Sequence, residues 1–154
     1  RIATLWDVVT LDLGTRPQDT IPLFRGLTNF QARIVARMAS ILEVKSGERL
    51  IEIGQPGVEM YTVIDGKLQA SIEGDKGTIN LDALHRGDTF GEVGLFFTNR
   101  TANVDVVDDA RLIRITQENL DSLKRRYPRI AAQLFSNLNE IISMKLVHST
   151  ERLK

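Results

Sequence analysis

Gly47-Glu48-Arg49-Leu50-Ile51-Glu52-Ile53-Gly54-Gln55-Pro56-Gly57-Val58-Glu59-Met60-Tyr61-Thr62-Val63-Ile64-Asp65-Gly66 decides the fold. Two bursts rich in aliphatic and aromatic residues, Arg49 to Ile53 and Met60 to Asp65, have the length of strands. Between them lies Gln55-Pro56-Gly57, and the second burst closes on Asp65-Gly66. Both are turn-forming combinations. Working outward, further strands are predicted at Ile41 to Val44, Leu68 to Glu73, Thr78 to Leu84, Thr101 to Val107 and Arg111 to Ile115. Turns are expected at Ser46-Gly47, Gly74-Asp75-Lys76-Gly77 and Asp108-Asp109-Ala110. Many short strands at nearly even spacing predict a mainly β domain of about eight strands, a sandwich or barrel and not a β-α-β alternation.

Helical patterns flank this β zone. Phe30, Ile34, Val35 and Met38 recur on one helical face, with Thr28 or Asn29 available as a cap. Upstream, Ile21-Pro22-Leu23-Phe24 is a short apolar segment closed by Gly26, and Gly14-Thr15-Arg16-Pro17 separates it from Ile2 to Leu13. Downstream, Gln117 to Tyr127 predicts a short helix stopped by Pro128. Ile130 to Val147 predicts a longer one with a stripe of Ile130, Leu134, Leu138, Ile141 and Ile142. The expected division is therefore an N-terminal helical segment (1–40), a β zone (41–116) and a C-terminal helix pair (117–154).

Composition narrows the function. The 154 residues are 42% hydrophobic and 26% charged, as in ordinary globular domains. Lys+Arg and Asp+Glu are 20 each, so no global charge draws the chain to nucleic acid or an anionic membrane. There is no Cys, hence no disulfide, thiolate nucleophile or Cys-ligated zinc. His85 and His148 have no metal-ligand spacing, so neither a metal nor a catalytic residue is expected. Arg86-Gly87-Asp88 reads as a turn, and Lys124-Arg125-Arg126 as a helix C-terminus where cations offset the dipole. Because the chain begins at Arg1 and not Met, a longer parent protein is expected.

One segment asks for a ligand: Gly87-Asp88-Thr89-Phe90-Gly91-Glu92-Val93-Gly94-Leu95-Phe96-Phe97-Thr98-Asn99-Arg100-Thr101-Ala102-Asn103-Val104. Gly91 and Gly94 bracket Glu92 and let a ligand approach the backbone. A helical turn is expected after them, with amide groups turned to an anion. Arg100 supplies a planar fork for a phosphate. Glu92 supplies an acceptor for sugar hydroxyls. Together these residues form a nucleotide cradle without a P-loop.

The two quoted stretches, with the lead-in Ile21 to Leu27, resemble the cyclic nucleotide-binding domain family over roughly Ile21 to Val147. The first looks like that family's β-roll signature and Phe90-Gly91-Glu92 through Arg100 like its phosphate-binding cassette. The resemblance implies a β-roll, that is, a double-stranded β-helix or jelly-roll-like barrel, with N-terminal helices and a C-terminal helix pair. It implies a non-catalytic sensor of cAMP or cGMP, cAMP slightly favoured. The ligand-binding residues would be Gly91, Glu92, Val93, Gly94 and Leu95, together with Arg100, Thr101 and Ala102. Glu92 would hold the ribose 2′-hydroxyl and Arg100 the cyclic phosphate, with the long C-terminal helix closing over the base. The chain departs from the family pattern at Asn99 (often Pro), at Asn103 (often Thr or small) and in a shorter span from Glu92 to Arg100. The resemblance further implies a cytoplasmic place within a larger protein, such as a membrane transporter or channel, with a homodimer as a possible assembly and no nucleic-acid contact from this chain. The alternative left open is a domain of the same fold that serves protein interaction or dimerisation without binding nucleotide.

Overall fold

The computed structural model describes residues 16–95 and 99–152. The stretch Ile2 to Leu13, the start of the break at Gly14-Thr15, and Phe96 to Thr98 lie outside the described residues. Helix α1 (Pro17–Thr20) and a 3-10 turn (Pro22–Phe24) lead into α2 (Asn29–Met38). Six strands follow: β1 (Ser40–Val44), β2 (Arg49–Ile51), β3 (Glu59–Gly74), β4 (Gly77–Leu84), β5 (Thr89–Phe90) and β6 (Asn103–Thr116). A 3-10 turn (Val93–Leu95) separates β5 from β6, and α3 (Gln117–Arg126) and α4 (Pro128–Arg152) end the described chain.

Local chemistry sets the helix ends. The Thr28 hydroxyl accepts from the Gln31 amide while the Gln31 side chain accepts from the Thr28 amide, a reciprocal cap that starts α2. Thr116 and Asn119 repeat the arrangement at α3. Lys124, Arg125 and Arg126 fill the last turn of α3, where cations oppose the exposed carbonyls. Pro128 opens α4, where its missing N–H costs nothing. Within α2 the buried residues are Ala32, Ile34, Val35 and Ala36. Phe30, expected on that face, is 71% exposed: it stands in the first turn, outside the Ala32–Val35–Ala36 stripe.

The strand pairing corrects the expected β-roll. The sheet is open, in the order β1-β6-β3-β4, with β2 pairing β6 and β5 pairing β3. No ladder joins β1 to β4, so the fold is a mixed α/β one and not a closed jelly-roll-like barrel. There are six strands, not about eight, among the described residues, because two pairs of expected strands are continuous. β3 runs through Asp65-Gly66 and β6 through Asp108-Asp109, where turns were expected. The two long strands pair antiparallel from Glu59↔Thr116 to Ser71↔Asn103, with register shifts between Val63 and Leu68. The turn-forming residues therefore mark a bulge. Gly66 has φ +94°, and a Cβ there would lie 2.5 Å from both Ala110 Cβ and Asp109 O. Only glycine permits so close an approach of the two strands.

Alternation along β3 and β6 divides the apolar side chains between two clusters. Met60, Ile64, Ile113 and Ile115 join Leu23, Phe24, Val35, Leu123, Leu134 and Leu138 of the helical segments. Tyr61, Val63, Leu112 and Val106 join Val44, Ile51, Leu84 and Phe90 from the other strands. The second cluster underlies the end of the sheet that carries the candidate site.

Candidate functional site

The site grows out of β5. Tyr61 and Phe90 are register partners on β3 and β5, and their rings stack with centroids 5.3 Å apart. Beside them, the Thr62 and Thr89 hydroxyls share a buried hydrogen bond of 2.8 Å. The chain then turns at Gly91 (φ +79°), and the single 3-10 turn Val93–Leu95 closes with the Leu95 amide on Glu92 O. The expected helical turn is thus present, as one 3-10 turn.

Arg100 returns to the same place from the far side of the loop. Its amide donates to Gln55 O and its carbonyl accepts from the Gly54 amide, and Pro56 and Asn99 form an isolated bridge. Asn103, 2% exposed, accepts from the Ile53 amide through Oδ1, so its departure from the family pattern ties this loop to β6. Arg100 is only 8% exposed. Nη1 donates to Gly91 O at 2.8 Å and Nη2 to Glu59 O at 2.7 Å. The glycines are needed for this packing: a Cβ on Gly94 would stand 2.6 Å from Arg100 Nη1, and one on Gly57 would stand 3.0 Å from Nε and 2.8 Å from Gly94 Cα. Arg100 is therefore the keystone of the loop as well as a candidate anion ligand.

Glu92 is equally enclosed, at 3% exposure. Its Oε1 accepts from Lys145 Nζ of α4 at 2.7 Å, and the same ammonium donates to Thr89 O at 2.6 Å. Lys145 played no part in the sequence reading. A lysine on a polar helix face carries no signal for a carboxylate 53 residues away. Glu59 was missed likewise: its carboxylate takes Tyr61 Oη and the Arg114 guanidinium while its carbonyl takes Arg100. Burial, then the hydrogen bond to Glu59, pushes the Tyr61 phenol up, so it stays a neutral donor.

Of the residues expected to bind, Gly91, Glu92, Val93, Gly94 and Leu95 form one continuous turn, and Arg100 closes on Gly91 and Gly94. Thr101 is exposed and Ala102 half-buried, leading into β6. His85 and Asp88 hold a β4–β5 turn, the His85 amide donating to Asp88 Oδ2. Asp105 pairs with Arg49, and Asp109 accepts from the Ser46 amide. Among the described residues no group of three His, Cys, Asp or Glu side chains could hold a metal ion. Nor is any described helix long and apolar enough to cross a membrane.

A β-sheet carrying a glycine-bracketed Glu and an Arg on one loop, with a long helix laid across it, makes a candidate ligand-binding domain. The cyclic nucleotide-binding domain model matches residues 41–127, more than half of the chain, and the chain belongs to that family. Its fold is similar to that of the Thermus thermophilus catabolite activator protein, with TM-score 0.75 and 25% identity, covering 86% of this chain and 61% of that one. It is similar too to a cyclic nucleotide-binding domain from Methylobacillus flagellatus, with TM-score 0.81 and 16% identity, covering 96% of this chain and 79% of that one. Over 103 residues, 66% of its length, it is 32% identical to patatin-like phospholipase domain-containing protein 7 of Rattus norvegicus. The chain spans only 8% of that relative.

Proposed function

We propose that this chain binds a cyclic nucleotide at Gly91 to Ala102 and serves as the sensor domain of a longer protein. The ligand is cAMP or cGMP, with cAMP slightly favoured. Glu92 takes the ribose hydroxyl and Arg100 the phosphate. Gly91, Val93, Gly94, Leu95, Thr101 and Ala102 supply the surrounding backbone and walls. One observation carries the reading: a nearly buried carboxylate and a nearly buried guanidinium stand on one loop whose glycines pack within contact of that guanidinium. The two charges suit a ligand that is an acid at one end and a sugar at the other. Residues 1–40, 41–116 and 117–154 act as parts of one sensor unit. Its output belongs to the parent, whether a hydrolase like the phospholipase relative or a transporter or channel, and a homodimer through α4 is part of this reading.

Isothermal titration with cAMP and cGMP tests it. Wild type is expected to bind at least one of them. Arg100→Glu sets a second negative charge against the phosphate. Losing one partner of a buried charge pair costs ~2–5 kcal/mol, so affinity should fall by at least about thirtyfold. Glu92→Gln should weaken binding less than Glu92→Ala, since one acceptor oxygen remains. No binding by wild type at millimolar nucleotide would replace this reading with an interaction domain of the same fold.

A further inference from the structure

Net neutrality conceals a polarised molecule. Residues 41–116 hold thirteen Asp and Glu against eight Lys and Arg. Between Asp121 and Glu140, by contrast, stand Lys124, Arg125, Arg126 and Arg129 and no acid. All four are exposed, at the corner where α3 gives way to α4. Lys124 Nζ lies 5.2 Å from the centroid of the Phe135 ring, and the Arg126 guanidinium 5.8 Å from that of Tyr127. Arg125 and Arg129 make no side-chain hydrogen bond or ion pair among the described residues. Three of these cations have a local reason: they oppose the carbonyls that end α3. Arg129 has none. It is the second residue of α4, where the helix turns its positive end outward, and no acid stands in that turn to offset it. A charge set against local preference, and against three neighbours of its own sign, marks a residue kept for a partner.

We propose that the α3–α4 corner docks on a membrane surface rich in anionic lipid. From Lys124 to Arg129 every residue but Tyr127 is exposed, so the corner offers a knob and no recess. A knob meets a flat field of headgroup phosphates without a shaped partner, and arginine forks take phosphate oxygens in pairs. Each Lys or Arg held near such a surface strengthens binding by about fivefold. Tyr127 and Phe135, each half-buried beside a cation, add the aromatic character that suits headgroup level. The acid-rich β zone is repelled by the same surface, so the corner leads. Arg129 stands about 24 Å along α4 from Lys145, the helix residue that touches Glu92. A nucleotide at the cassette therefore competes for none of these cations, and the lipid surface does not rest on nucleotide binding.

Sedimentation of the full chain with vesicles tests the corner. Wild type should pellet at low salt with vesicles of equal parts phosphatidylserine and phosphatidylcholine, not with phosphatidylcholine alone, and should come off as salt is raised. Arg125→Gln combined with Arg129→Gln should lower the partition coefficient by about twenty-five-fold, two charges at roughly fivefold each. Neither side chain has a partner to lose, so the melting midpoint should stay close to wild type. Lys76→Gln combined with Arg86→Gln removes the same net charge from exposed positions of the β zone and should bind as wild type does. Failure of wild type to pellet, equal binding to neutral vesicles, or an equal loss in the Lys76 and Arg86 variant overturns the proposal. Binding of an oligonucleotide or an acidic polypeptide through Arg125 and Arg129, with the vesicles ignored, overturns it too, because the surface would then serve a partner other than lipid. Titration with cAMP and cGMP reports on the cassette separately in every case.

Discussion

Asp65 sits at the bulge of β3, and its carboxylate takes the Arg111 side chain at 3.0 Å and the Arg111 amide at 3.1 Å. The hydrogen-bonded guanidinium holds the Asp65 carboxyl below the usual carboxylate range. A depressed folded-state value means stability that is present above the unfolded value, near 3.9, and lost as pH falls through the folded one. Asp65→Asn should therefore cost about 1 kcal/mol near pH 7, the order for a partly exposed pair. The difference from wild type should shrink as thermal melts are taken from pH 5 to pH 2. A constant difference across that range would show that the amide loses shape complementarity and not charge. At this scale the candidate site was half legible. Gly91, Glu92, Gly94 and Arg100 announce themselves because their types and spacing suit a phosphate and a sugar. That Arg100 also donates to the Glu59 carbonyl, and that Glu92 faces a lysine, depends on residues 41 and 53 positions away. Local pattern carries no information about either.

At the scale of elements, α4 shows what periodicity reads and what it passes over. Leu134 and Leu138, on the expected stripe, are 1% and 2% exposed. Ile141 and Ile142, on the same stripe, are only half-buried, packed at the margin of the helical cluster. Asn137, 5% exposed, was invisible to an apolar count. Its Nδ2 donates to Leu23 O and Arg25 O, both at 2.8 Å, and its Oδ1 accepts from Gln133. That fork binds α4 to the 3-10 turn. Asn137→Leu keeps the volume but leaves the Leu23 carbonyl buried without this donor, at about 1–3 kcal/mol. Urea unfolding should show the lower midpoint with an unchanged slope. Equal stability would mean that water replaces the amide. Strands were misjudged for a related reason. Asp65-Gly66 and Asp108-Asp109 carry turn residues, but a bulge needs the same conformational freedom as a turn. Only the partner strand decides which forms, and reading two turns there cut β3 and β6 each in half and made a wound barrel plausible.

For the whole molecule the consequence is that β3 and β6 belong to both clusters at once. Leu112 and Ile113 are neighbours in β6, both fully buried, yet Leu112 packs with the strand cluster and Ile113 with the helical one. On β3, Tyr61 and Val63 face one way and Met60 and Ile64 the other. A loss of packing on either face must loosen a strand that the other face also needs, so the two clusters should unfold as one body. Leu112→Ala and Leu134→Ala, one in each cluster, should each cost ~2–5 kcal/mol. In urea, methyl resonances from both clusters should fade together in both variants, with the midpoint lowered and the slope kept. Two separated transitions, with the helical methyls lost first in Leu134→Ala, would show that the sheet stands without its helices. That outcome would remove the shared strand as a route from Glu92 to the helical cluster and leave the direct contacts, Leu95 against that cluster and Lys145 on Glu92.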